Sequence, residues 1–316
     1  MADTIQGAKI LIVNTWDNKF NAVYAAHFRK KNTVDVLVSQ NHDETVATAA
    51  KGYDLVWSQW ASYSLLWLAE EKRPYTLVSH IRSYEILVDD IRRIRWENVA
   101  CGVFVADHIR ELALEIWPQE ITNLPTTVIY DSVNPADYPF SVKKPGHDIA
   151  FVGTLNHKKG LPLLLQCLRA AVDADPEYRL HVAGISDEPS HEIYLRHMIT
   201  ELGLVDRIIF HDYVKDIPSF LSRMDYVLST SPWEGNPNNV IEGMAMGVKP
   251  LVHNWRGARK LYPLNHPVVF NTVDEFVSLL RSPSYDSRAY RALVERDFNS
   301  NIQNEKFDRY FAGFLK

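Results

Sequence analysis

Cysteine is scarce in this chain: Cys101 and Cys167 are the only two in 316 residues, far apart, in apolar surroundings and without metal-ligand spacing. That excludes a disulfide scaffold and makes a reducing compartment the natural one. Long apolar runs are also missing. Stretches such as residues 161–165 fall far short of the roughly 20 residues a spanning helix needs, and the opening MADTIQGAK does not read as a signal peptide. The expectation is a cytoplasmic protein with at most peripheral contact at the inner face of a membrane. Positive charge is not in excess either, with 34 Lys+Arg against 39 Asp+Glu, a net of −5. Residues 1–140 carry 13 basic and 18 acidic side chains and residues 141–316 carry 21 of each. Neither half has the footprint of a nucleic-acid binder.

What is present is an ordinary globular composition, 46% hydrophobic and 23% charged. The length suits two domains of about 150 residues. Short apolar runs alternate with longer amphipathic segments: strands are expected over 9–14, 34–38, 55–58, 75–79, 102–106 and 126–130, with helices over 21–31, 63–71 and 108–117. Such alternation demands crossovers, hence mostly parallel α/β sheets. Three prolines and no apolar periodicity mark residues 135–147 as a linker between a first domain, 1–134, and a second, 148–300. The alternation then restarts, with strands over 149–153, 179–183, 207–213, 226–229, 250–253 and 268–270. The last stretch, 301–316, reads as a helix able to cross back to the first domain. Two doubly wound, Rossmann-like domains facing each other across a cleft follow as the expected architecture, with ligands at the carboxyl ends of the strands.

The most informative stretch is STSPWEGNPNNVIEGMAMG, residues 229–247. A strand ends near Ser229, Asn236 and Pro237 suit a helix start, and Gly247 suits its stop. The free amides and positive dipole end of such a helix favour a phosphate or diphosphate. Glu234 lies just ahead of the helix and Glu242 inside it, and from Asn236 to Glu242 the rise is about 9 Å, enough to bridge a diphosphate. The plain alternative for Glu242 is a solvated helix glutamate, but its neighbours Ile241, Met244 and Ala245 are apolar.

The pattern E-G-x-P-N-x-x-x-E-x-M-A-x-G, from Glu234 to Gly247, resembles the E-x7-E signature of retaining, nucleotide-sugar-dependent glycosyltransferases of family four, which have the GT-B fold. The resemblance implies that Glu242 binds the donor ribose, that Glu234 contacts the transferred sugar, and that Gly235, Asn236 and the amides around Asn238, Asn239 and Val240 hold the diphosphate. DIAFVGTLNHKKG, residues 148–160, resembles the strand and loop opening the donor domain, with Gly153 admitting the ligand and Lys159 neutralising the departing diphosphate. This loop is neither a Walker A nor a G-x-G-x-x-G. Where many relatives have arginine, Thr154 stands, with Arg256 or Arg259 as substitutes. RIIFHDYVKD, residues 207–216, resembles the segment that seats the base through backbone near Val214.

In the first domain, PYTLVSHIRSYE resembles the strand ending in a histidine that reaches the donor sugar, which would be His80; a structural histidine is the alternative. Arg82, Tyr84 and Trp16 are the acceptor-side candidates. Asp173-Ala174-Asp175 mimics a metal-binding D-x-D but falls at a helix end in the wrong architecture. Residues 92–96, RRIRW, read as a solvated helix face with one buried tryptophan, and as a contact for anionic lipid in the alternative.

The partners implied are a nucleotide-diphosphate sugar donor and a glycan, lipid-linked or other hydroxyl acceptor, without nucleic acid, cofactor or divalent metal. The rivals are a nucleotide-sugar epimerase or a phosphorylase of the same architecture, and a non-catalytic binding module.

Overall fold

A computed structural model describes residues 4–14, 21–38 and 45–315. The chain divides into two compact units: residues Met1–Asp131 with Ser300–Lys316, and Ser132–Asn299.

The first unit holds β1 (Lys9–Asn14), β2 (Thr33–Val38), β3 (Leu55–Ser58), β4 (Thr76–Ile81), β5 (Cys101–Phe104) and β6 (Thr126–Val128). All pair in parallel in the order β2-β1-β3-β4-β5-β6. β1, β3 and β5 read as apolar runs because helices cover the sheet on both faces. One face packs Ile10, Ile12, Trp57, Val78 and Val103 against Tyr24 and Phe28 of the helix Asn21–Phe28 and against Phe307 and Phe311 of the closing helix, Ser300–Ala312. The last helix therefore completes the core of the first unit. Residues 84–98 form three short 3-10 turns, Glu85–Leu87, Asp89–Arg93 and Trp96–Asn98, in place of the expected helix face. Ile91 and Ile94, three apart, suit that tighter period; with Trp96 they are buried, while Arg92, Arg93 and Arg95 are exposed.

The second unit holds β7 (Asp148–Val152), β8 (Arg179–Ala183), β9 (Ile208–Phe210), β10 (Tyr226–Ser229), β11 (Lys249–His253) and β12 (Val269–Phe270). They pair in parallel in the order β12-β11-β10-β7-β8-β9. The winding direction reverses between β7 and β10, and a doubly wound sheet opens a crevice at the carboxyl ends of the strands at that switch point. Residues 135–147, expected as a tether, pack on this unit. The Lys143 Nζ donates to the Ser222 and Met224 carbonyls at 2.7 and 2.6 Å, and the Ser141 N–H donates to Met246 O at 3.3 Å. The prolines remove periodicity from the segment, but a lysine capping carbonyls left over at a helix end needs none.

Candidate active site

β7 ends at Val152 and runs into Gly153, whose φ of +151° lies in the region that favours glycine. A side chain there would lie 3.4 Å from Lys159 Cε, so the stem of Lys159 runs over the space the glycine leaves. The next glycine is a stricter requirement. Gly160 has φ +64°, and a Cβ there would sit 2.1 Å from the Thr230 carbonyl oxygen. The Thr230 hydroxyl donates to Lys159 O at 2.8 Å, so the loops after β7 and β10 are locked together just where Lys159 leaves the backbone. Asn239 adds a second tie, donating through Nδ2 to Val152 O at 2.8 Å.

These ties bring Lys159 to Glu234. The Lys159 Nζ donates to Glu234 Oε1 at 2.5 Å, the Ser231 hydroxyl donates to the same oxygen at 2.8 Å, and the Lys158 ammonium lies 3.6 Å from Oε2. Glu234 is only 6% exposed. Burial alone would raise its pKa, but the two lysines outweigh it and hold the carboxyl below the ordinary range. Lys158 and Ser231 were not singled out in the sequence, where they look like a solvated lysine and a loop serine.

The helix that follows is Asn238–Ala245, beginning one residue later than expected because Pro237 itself keeps an extended ψ of 104°. Gly247 stops it as foreseen: with φ +85°, its N–H donates to Met244 O and that of Val248 to Gly243 O. Val240 is a correction, because its N–H already donates to Pro237 O at 3.2 Å and to Asn239 Oδ1 at 3.0 Å. Among the described residues, the amides of Asn238 and Asn239 remain as the uncommitted donors of the first turn. Gly235 and Asn236 are buried ahead of them. Glu242 is buried, not a solvated helix glutamate, and accepts a hydrogen bond from the Tyr138 hydroxyl at 3.2 Å.

The remaining donor-side candidates sit around this frame. Thr154 is exposed. Arg256 and Arg259 are exposed as well, and the charge of Arg259 bears on Glu275. Val214 is half-buried against the cluster of Ala183 and Phe220, just past Asp212, the one non-glycine residue with positive φ (+50°) among those described.

The first unit answers less well. His80 is fully buried, with the rings of Trp57, Tyr24 and Phe307 within 6.1, 6.4 and 5.4 Å. Burial, with the nearby Arg82 charge, holds it neutral, its pKa well below the ordinary histidine value. The expected outward reach to a sugar is thus replaced by packing, because the closing helix covers that face. Arg82 is buried too, ion-paired with Asp131 and stacked 5.0 Å over the Trp60 ring. Tyr84 is 50% exposed, and Trp16 lies outside the described residues. Of the D-x-D pair, Asp173 meets Arg169 at 2.6 Å and Asp175 meets His147 at 3.1 Å. No group of three or more His, Cys, Asp or Glu side chains is gathered as a metal set among the described residues.

A parallel sheet with one carboxylate clamped by lysines at a helix entrance near its switch point, and another buried within that helix, can be compared with known proteins. Over 97% of this chain and 100% of its own, the crystal structure of HepE from Anabaena in complex with UDP and glucose superposes with a TM-score of 0.79, at 17% identity. The fold is GT-B. Residues 138–282, inside the second unit, match the family described as Glycosyl transferases group 1. The lipopolysaccharide core biosynthesis mannosyltransferase LpsB of Rhizobium meliloti is 28% identical over 221 residues, 61% of this chain and 63% of that protein. A GDP-mannose:cellobiosyl-diphosphopolyprenol alpha-mannosyltransferase of Xanthomonas campestris is 28% identical over 112 residues, 35% of this chain and 29% of that protein. The chain thus spans less than two thirds of the length of these curated relatives. The GT-B second unit carries both the family match and the Lys159–Glu234 site. Among the described residues, no helix is long and apolar enough to cross a membrane.

Proposed function

We propose that this chain is a glycosyltransferase that moves a sugar from a nucleotide diphosphate to a hydroxyl acceptor, with retention at the anomeric carbon and without a divalent metal. The observation that carries the reading is the buried Glu234 held between Lys159 and Lys158 at the entrance of the helix Asn238–Ala245. A buried carboxylate under two ammoniums leaves one positive charge in excess beside the free amides of Asn238 and Asn239. That combination suits a diphosphate.

Breaking the bond between the anomeric carbon and the diphosphate builds negative charge on the leaving group. In this reading Lys159, Lys158 and the helix amides stabilise it as it develops. The sugar ring gains positive character, for which Glu234 is the near carboxylate. Glu242, which accepts from the Tyr138 hydroxyl, serves the donor ribose in this reading. The relatives point the same way: UDP and glucose in the HepE complex, and mannosyl transfer in the names of two sequence relatives, support a hexose donor and a glycan or lipid-linked acceptor.

The test is a thermal-shift titration of the full chain with UDP, GDP, ADP and dTDP, followed by two variants. One nucleotide should stabilise the protein. Glu242→Ala should weaken that binding about 10-fold or more, the scale of one charge-assisted hydrogen bond. Glu234→Ala should slow transfer while leaving nucleotide affinity within a factor of a few. No response to any nucleotide, or both variants behaving as wild type, would remove the reading.

A further inference from the structure

β11 runs beside β10, with Ser229 opposite Val252, and the two following loops stay together, His253 Nδ1 lying 3.3 Å from Ser231 O. The β10 loop carries Glu234. The β11 loop turns at Gly257, forms the short helix Ala258–Leu261 and ends on Tyr262, whose N–H donates to Ala258 O at 3.1 Å. Tyr262 is 4% exposed, and its hydroxyl has no hydrogen-bond partner among the described residues. A buried hydroxyl without a partner costs about 1–3 kcal/mol, and phenylalanine would fill the same space without that cost. Packing therefore accounts for the ring and not for the oxygen. Burial first, and the charge of Glu234 second, push its pKa well above the ordinary tyrosine value, so among the described residues the hydroxyl lies within the electrostatic reach of Glu234.

Both oxygens of Glu234 already face lysines or Ser231, so the carboxylate is not what the hydroxyl is there to meet. We infer that Tyr262 is a specificity-determining residue of this site, donating its O–H to a hydroxyl oxygen of the sugar held at Glu234. The inference rests on the proposed transferase reading and names a contact that reading does not contain. A donor already desolvated and lacking an acceptor favours a ligand that brings an oxygen and disfavours one that brings hydrogen or a methylene at the same place.

Tyr262→Phe in the full chain tests it. The readouts are thermal melting, affinity for the free nucleoside diphosphate, and donor hydrolysis, in which water takes the sugar and free nucleoside diphosphate is released, so no acceptor need be known. UDP-glucose and GDP-mannose are the probes, alongside deoxy analogues of whichever is hydrolysed. The variant should melt at or above the wild-type temperature and bind the free nucleotide within twofold of it. Its kcat/KM for the full sugar nucleotide should fall about 10-fold, the size of one hydrogen bond of about 1.4 kcal/mol, and its preference over one deoxy analogue should shrink by the same factor. Unchanged kcat/KM with normal nucleotide binding overturns this inference and leaves the transferase reading standing. An equal loss of free-nucleotide affinity also overturns it, since the hydroxyl would then serve the nucleotide or the local structure. Failure of the wild-type chain to bind any nucleotide overturns the reading beneath it.

Discussion

Replacing Lys159 by methionine tests the ion pair on which the site is built. The ammonium and carboxylate meet at 2.5 Å, with side chains 20% and 7% exposed. For charges about 4 Å apart in a medium of effective dielectric about 20, the attraction is about 4 kcal/mol. Lys158 stays within 3.6 Å of the other oxygen, and the Lys159 head is partly solvated, so about half of that is expected in the pairwise coupling, or about 2 kcal/mol. The assay is a double-mutant cycle with Lys159→Met, Glu234→Gln and the double variant, each unfolded in urea at pH 7. Lys159→Met alone should be the most destabilised of the four, because it leaves a buried carboxylate with a weaker partner. The double variant should regain part of the loss. The pH dependence has a definite sign. Glu234 titrates below its unfolded value, so its contribution is present above about pH 4.5 and is lost as the pH falls through the folded value. Wild type should therefore lose more stability on acidification than Lys159→Met. A coupling under about 0.5 kcal/mol would mean that the pair behaves as a surface contact, and the anchored anion site would have to be abandoned.

Glu85 is fully buried, accepting from the Ala61 and Arg82 N–H groups at 3.0 and 3.2 Å, and burial pushes its carboxyl up to about 7. The native state then holds the proton more tightly than the unfolded chain, so stability should fall as pH rises from about 4.5 to about 7, by up to about 3 kcal/mol; Glu85→Gln, followed by urea midpoints across that range, should flatten the slope, and an unchanged slope would refute the assignment. At Gly160, alanine would meet both a left-handed φ and the Thr230 oxygen at 2.1 Å, whereas at Gly203 (φ +62°) nothing lies within 4 Å. Gly160→Ala should thus cost about 3 kcal/mol and Gly203→Ala about 1; equal losses in thermal melts would show that the loop lock does not exist.

The strands over 9–14, 55–58 and 226–229 were legible residue for residue, because apolar runs bounded by turn residues carry their own signal. The helix after β10 was legible within about a residue from Pro237 and Gly247, and Glu234, Glu242 and Lys159 could be picked out from a motif local enough to read along the chain. Beyond that range the sequence was silent. Lys159 and Glu234 stand 75 positions apart, and their contact exists only because the order of the second sheet sets β7 beside β10. Arg82 and His80 looked like ligand residues after a strand. Asp131, 49 positions on, and Phe307 of the closing helix bury them instead. Tyr262 bore no motif at all, since an unpartnered hydroxyl is a property of its surroundings. Hydrophobic rhythm records which side of an element turns inward, whereas charge compensation and enclosure depend on which distant elements the crossovers set side by side, and only the assembled sheets decide that.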